Sequence, residues 1–245
     1  IENRLISLGL GTGYGRLSRR LRTNADQNSL LRSLELNPDG ISTYLTVGWR
    51  VSSWLELFVD AMDFRLGSSQ IRLDDGPAVK ISSAAQSAGL LTHFVHDFGP
   101  MSTSVAIGVD YYRSYFRETR PLTIALTTQS FGGYVGGRLG YISGSFESRA
   151  DLGYVRSLKT AQSPVSSGGT VDGDGFRAQL TARWWFQDTW GIGIRVRYLE
   201  RTSTFRGTSS HVDDVSNPDM PYAYTQAQET DHLMYFGLSA EYRIF

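Results

Sequence analysis

The chain of 245 residues contains no cysteine, which excludes a disulfide scaffold and a thiol nucleophile. No stretch approaches ~18 consecutive apolar residues, so no membrane-spanning helix is encoded. An excess of charge is missing too, with 24 Lys+Arg against 24 Asp+Glu, and that balance argues against nucleic acid as a general partner. Lysine is scarce: Lys80 and Lys159 are the only two, leaving 22 of the 24 basic residues as arginine. Arginine suits buried ion pairs and phosphate forks better than lysine does.

Several chemical motifs are also lacking. There is no His-x-x-x-His or comparable metal spacing. The acidic runs Asp172/Asp174 and Asp213/Asp214/Asp219 do not match the Asp-x-Asp-x-Asp-Gly calcium loop and read as solvated loops. Gly9, Gly11, Gly13 and Gly15 miss the Gly-x-Gly-x-x-Gly spacing of a dinucleotide site. On a strand they give room to bulky side chains across an enclosed interior. No Gly-x-Ser-x-Gly elbow supports an esterase. No cofactor, metal or enzymatic activity is expected.

What the sequence does contain is alternation. In the last stretch, His232 to Phe245, Met234, Phe236, Leu238, Ala240, Tyr242 and Ile244 point one way, and Tyr235, Gly237, Ser239, Glu241 and Arg243 the other. That is a strand with one greasy and one polar face. The same pattern recurs along the chain. Ile6, Leu8, Leu10 and Tyr14 oppose the early glycines; Leu55, Leu57 and Val59 oppose Glu56, Phe58 and Asp60; Trp190, Ile192, Ile194 and Val196 oppose Gly191, Gly193, Arg195 and Arg197. About ten strands result. Tight turns at Arg50 to Ser53, Gly99-Pro100, Ser143-Gly144 and Gln187 to Thr189 alternate with five longer loops, among them Arg19 to Gly40, the glycine- and serine-rich Ser163 to Gly175, and the longest from about Thr204 to Thr230. A soluble sandwich has no reason to place every long connection at one end, whereas a transmembrane barrel has short turns on one side and long loops on the other. The expected fold is all-β: residues 1–245 form one closed antiparallel transmembrane barrel, its last strand pairing with its first to remove both open edges.

With these features the chain resembles the bacterial outer-membrane β-barrel proteins over essentially its whole length. The family's C-terminal assembly signal is represented by Gly237, Leu238, Tyr242 and Phe245. Phe245 is out of phase with Tyr242 and Ile244, so either the barrel ends just before it or the chain folds back at the interface. The resemblance implies a Gram-negative-type outer membrane, short periplasmic turns with both termini periplasmic, outer-membrane lipid and lipopolysaccharide as surroundings, and the barrel assembly machinery as a partner. The chain begins at Ile1 and reads as a mature or trimmed chain whose export signal is not shown.

Four sets of residues are candidates for function. The first is an ionic lumen of Arg50, Glu56, Asp60, Asp110, Arg138, Glu147, Arg149, Asp151, Arg177, Arg183, Arg195, Arg197, Glu241 and Arg243. Such charges must pair or meet water, giving either a salt-bridged plug in a narrow interior or a thin arginine-lined channel for small solutes. His93 reads as a hydrogen-bonded lumen residue. The second set, Arg16, Arg19, Arg20 and Arg22, sits where the first strand leaves the outer leaflet and matches lipopolysaccharide phosphates. The third is the last loop, with Phe205, His211, Pro218, Pro221, Tyr222 and Tyr224, a surface for a protein partner. The fourth is an omptin-like protease set, Asp74, Asp75, Asp231 and His232. Because those residues are adjacent rather than one apart, their side chains should diverge on a strand. The function expected is a non-enzymatic surface-binding or scaffold barrel acting through its extracellular loops.

Overall fold

Side-chain alternation becomes wall geometry in the computed structural model of the chain, which describes residues 5–23, 33–71, 79–118, 127–163, 170–186, 189–206 and 226–245. The strands are β1 (Leu5–Thr23), β2 (Ser33–Leu36), β3 (Asp39–Ser52), β4 (Leu55–Ile71), β5 (Val79–Phe98), β6 (Met101–Glu118), β7 (Thr127–Ser143), β8 (Phe146–Ser163), β9 (Thr170–Phe186), β10 (Trp190–Arg206) and β11 (Gln226–Ile244). Ten of them form an antiparallel ring in which each long strand pairs with its neighbours in sequence and β11 returns to β1. The seam runs from Ile6 opposite Ile244 to Thr23 opposite Ala227. Closure matters because an open edge has no water to satisfy it inside a bilayer. The short β2 adds to the far end of β1, pairing Arg19 with Leu36 and Arg22 with Ser33.

The outer face carries an apolar belt that includes Leu10, Leu45, Leu90, Ile107, Val135, Leu152, Leu180, Ile194 and Leu238, all exposed. From Met234 to Ile244 this belt covers about 33 Å along β11 at ~3.3 Å per residue. A strand tilt of about 40° reduces that to about 25 Å, the height of the lipid-facing band of an outer-membrane barrel. Aromatics edge the belt near the turns, where the rings of Trp190 and Tyr242 lie 4.5 Å apart and those of Trp54 and Phe94 stack at 6.4 Å. Two of the turns place glycine at positive φ, Gly99 at 62° and Gly144 at 55°, where an L side chain is strained.

Toward the loop end the barrel continues past the belt, and there the alternation changes sense. Leu17, Leu36, Phe64, Leu66, Ile81, Leu199, Phe205 and Leu233 are buried inside, while Arg16, Arg20 and Arg22 are exposed outside. Outside the hydrocarbon the wall faces water, so apolar residues gain by pointing inward, as in any soluble protein. The structure therefore corrects the expected loop boundaries: strand extends through Arg19–Thr23, Thr170–Gly175, Thr204–Arg206 and Gln226–Thr230. β11 ends at Ile244, so the barrel stops just before Phe245, which is exposed at the turn end.

Inside the belt, tyrosine and phenylalanine side chains pack against glycines. A Cβ on Gly11 would run into the Tyr44 ring, one on Gly136 or Gly153 into Tyr134, and one on Gly237 into Tyr235. A Cβ on Gly15 would come 2.9 Å from Phe64. The alternating glycines of β1 thus clear the inner wall for large side chains reaching in from other strands.

Candidate functional site

The lumen is filled by charged side chains that the inward phase of eight strands brings together. Three clusters stack along it. Nearest the turns, Glu147 of β8 is a hub: Arg183 donates to it at 3.0 Å, Arg243 at 2.5 Å and the Trp185 indole at 3.1 Å, with Arg149 also paired to it. Arg243 stacks 3.5 Å over the Trp185 ring. Arg138 ties this group to β4 and β8, donating to Glu56 at 3.1 Å and to Asp151 at 2.6 Å, while Arg149 reaches Glu56 at 3.5 Å and Arg183 reaches Glu241 at 3.3 Å. Four guanidiniums face four carboxylates, so the charges balance. His93 lies beside them, its Nδ1 3.0 Å from the Ser104 hydroxyl and its ring edge-on to Phe58.

The middle cluster gathers on Asp60 and Asp110. Arg197 forks onto Asp60, with Nη1 at 3.1 Å and Nη2 also bonded; Arg177 lies 3.2 Å and Arg195 3.6 Å from the same carboxylate. Arg201 bonds Asp110, which Arg177 approaches to 4.0 Å. The Gln179 carbonyl accepts from Arg197 Nε at 2.8 Å.

At the loop end Arg19 donates from Nε to Asp231 at 2.6 Å and pairs with Glu229 at 2.8 Å. The Tyr112 hydroxyl also donates to Asp231 at 2.8 Å, and Thr128 donates to Glu229 at 3.0 Å. Below the turn-end cluster an open bowl of about 490 Å³ faces out, lined among others by Arg50, Arg149, Arg243 and Phe245.

The structure brings together all the residues read as lumen charges except Arg50, which sits at the bowl's rim, 2.8 Å from Asp97. Arg19, Arg201, Glu229 and Asp231 belong to the interior as well, and the sequence reading missed that role. The signal was available, since Arg201 keeps the odd-numbered phase of Arg195 and Arg197, and Glu229 and Asp231 keep that of Glu241.

Other expected sites divide. Arg19 is corrected: it is buried inside the barrel on Asp231 and cannot meet an outer-leaflet phosphate. Arg16, Arg20 and Arg22 stay on the outer wall, Arg20 3.4 Å from Glu35 of β2. Phe205 is also corrected, because its side chain is 1 % exposed and fills the interior on β10 rather than standing in a loop. His211, Tyr222 and Tyr224, with Pro218 and Pro221, lie outside the described residues, as do Asp74, Asp75, Asp213, Asp214 and Asp219. Asp231 and His232 face opposite ways: Asp231 binds Arg19 inside, while His232 Nδ1 lies 2.7 Å from the Tyr198 hydroxyl on the outer side. Asp172 and Asp174 are outside too, Asp172 2.5 Å from Arg156 and Asp174 3.3 Å from Tyr154. Among the described residues no group of three or more His, Cys, Asp or Glu could hold a metal ion. Of the C-terminal set, Gly237 supports the Tyr235 ring and Tyr242 meets Trp190.

A closed ten-stranded antiparallel ring with an apolar belt and an ionic lumen is the fold of bacterial outer-membrane β-barrel proteins. The outer membrane protease OmpT from Escherichia coli superposes with a TM-score of 0.62 at 10% identity, covering 99% of this chain and 97% of that one. Neisserial surface protein A (NspA) gives a TM-score of 0.35 at 11% identity over 96% and 95% of the two chains. The attachment invasion locus protein Ail of Yersinia pestis gives 0.36 at 8% identity over 99% and 100%. At these identities the likeness is one of fold, carried by the first of the three. No known family model and no curated protein matches the sequence.

Proposed function

We propose that this chain is an integral outer-membrane barrel acting as a non-enzymatic surface-binding or scaffold protein through its extracellular loops, with both termini periplasmic. The observation that carries the reading is the lumen, crossed by three clusters of ion pairs whose members are almost all buried. A barrel plugged in this way is a poor conduit for solutes, and the strands that rise beyond the lipid belt make a rigid frame for binding loops. The even number of barrel strands puts Leu5 and Ile244 at the same end as the tight turns, the periplasmic end in proteins of this fold. The barrel assembly machinery is then the partner that inserts it.

An omptin-like protease built on this set would need an acid and a histidine to converge on one substrate. Here the adjacent Asp231 and His232 are on opposite sides of the wall, and Asp231 is engaged by Arg19. On the outer wall, a groove of about 160 Å³ between β1 and β11, lined by Ser18, Arg20, Arg22, Gln228, Thr230 and His232, supports lipopolysaccharide phosphate as the neighbour of the outward arginines. Deleting residues Ser209 to Ala227 should remove a partner from pull-downs out of native membranes while leaving a folded barrel. An unchanged set of partners overturns the loop-binding role.

A further inference from the structure

The middle cluster of the lumen does not balance. Four guanidiniums, those of Arg177, Arg195, Arg197 and Arg201, share the carboxylates of Asp60 and Asp110. The turn-end cluster beside it pairs four with four and has no negative charge to lend. The loop-end cluster, with Asp231 and Glu229 on Arg19, offsets only one of the two extra positive charges, so the described lumen keeps one guanidinium in excess. Arg195 is the outlier. Its side chain is 0 % exposed, and none of its three nitrogens has a hydrogen-bond partner among the described residues. Its nearest carboxylate is Asp60 at 3.6 Å, already forked by Arg197, and its other neighbour is the face of Tyr44 at 4.1 Å. Arg177 Nε and both Nε and Nη1 of Arg201 are buried without hydrogen-bond partners as well.

A buried lysine or histidine in this position could lose its proton and become neutral. A guanidinium cannot, because it stays protonated in proteins. Water can accept its N–H bonds but supplies no charge, so the surplus calls for a counter-ion from outside the chain. We propose that the middle of the lumen holds a small monovalent inorganic anion, chloride in the cell, bound chiefly by Arg195 with Arg177 and Arg201 as its neighbours. The close packing of Arg195 against Tyr44 favours a halide over a larger oxyanion. The ion completes the plug electrostatically, as a structural part of the wall rather than a transported solute.

The folded protein, purified in detergent, tests this in two ways. Crystals grown or soaked in bromide should give an anomalous peak beside the Arg195 guanidinium. Thermal unfolding should occur at higher temperature in sodium chloride than in sodium gluconate of equal ionic strength, since a ligand that binds only the native state stabilises it. Gln179→Glu places a carboxylate against Arg197 without changing the size of the side chain, and should reduce the difference between chloride and gluconate. Arg195→Gln should abolish both that difference and the bromide peak. Water alone at Arg195 in bromide crystals, bromide confined to the outer surface, or equal unfolding temperatures in the two salts would overturn the proposal. Because the bromide experiment uses the natural sequence, it stands even where a variant fails to fold.

Discussion

Glu147 shows what a single lumen residue contributes. Its carboxylate meets Arg149, Arg183 and Arg243 and accepts from Trp185. Removing it leaves three guanidiniums short of charge in a place water reaches poorly, and breaking a buried ion pair costs about 3–5 kcal/mol. Glu147→Ala should therefore lower the urea midpoint of the barrel in lipid vesicles by a large margin. Asp172→Ala is the contrast. Its partnership with Arg156 is on the outside, with side chains 59 % and 54 % exposed, and an exposed pair contributes about 0–1 kcal/mol. At this scale the sequence was legible wherever the belt set the phase. Glu56, Asp60 and Arg195 could be placed inside because apolar neighbours on either side of each had to face lipid. Arg19 was hidden for another reason: beyond the belt no apolar outer row marks the strand, so the inward odd phase of Gly9 to Gly15 is not visibly continued to Leu17 and Arg19, although β1 carries it there.

At the scale of the strand, β1 has two chemistries on one element. Its lower half is an outward row of apolar residues over inward glycines. Its upper half turns Arg16, Arg20 and Arg22 outward and Leu17 and Arg19 inward. Arg16 lies level with Met234 at the edge of the apolar belt and Arg20 and Arg22 lie beyond it, and Thr230 and His232 of β11 flank Arg20 and Arg22 in the shared groove. If that groove holds a lipid phosphate, Arg20→Glu combined with Arg22→Glu should strip bound lipopolysaccharide from the protein in native mass spectra. Retention of the same lipid would show that the arginines are an ordinary solvated rim. The upper strand ends were the least legible elements. Sequence reading uses polar residues to mark a loop, but an exposed strand outside the membrane has a polar outer face as well. Thr204, Thr230 and the stretch from Arg19 to Thr23 therefore read as connection although they continue the ladder. Inward apolar residues such as Leu17, Leu199, Phe205 and Leu233 reveal the continuation, by reversing the sense of the alternation.

For the whole molecule, the stack of ion pairs predicts that the purified barrel gives no steady conductance in planar bilayers. Regular channel openings would show that the clusters part and that the lumen is a path after all. The closed ring itself was readable from the alternation of short turns with long loops, and it has a consequence in time. Its seam joins residues from opposite ends of the sequence, and the Arg19–Asp231 pair closes over 212 positions. The first strand made can gain its second neighbour only after the last one has been synthesised. Until then the chain carries two unsatisfied edges and a belt of exposed apolar side chains, a form prone to aggregation. Contacts this distant in sequence are also slow to form. The last strand is therefore a checkpoint as well as a piece of wall: a chain that lacks it has no seam to close, and a chain that has it can become a barrel in one step.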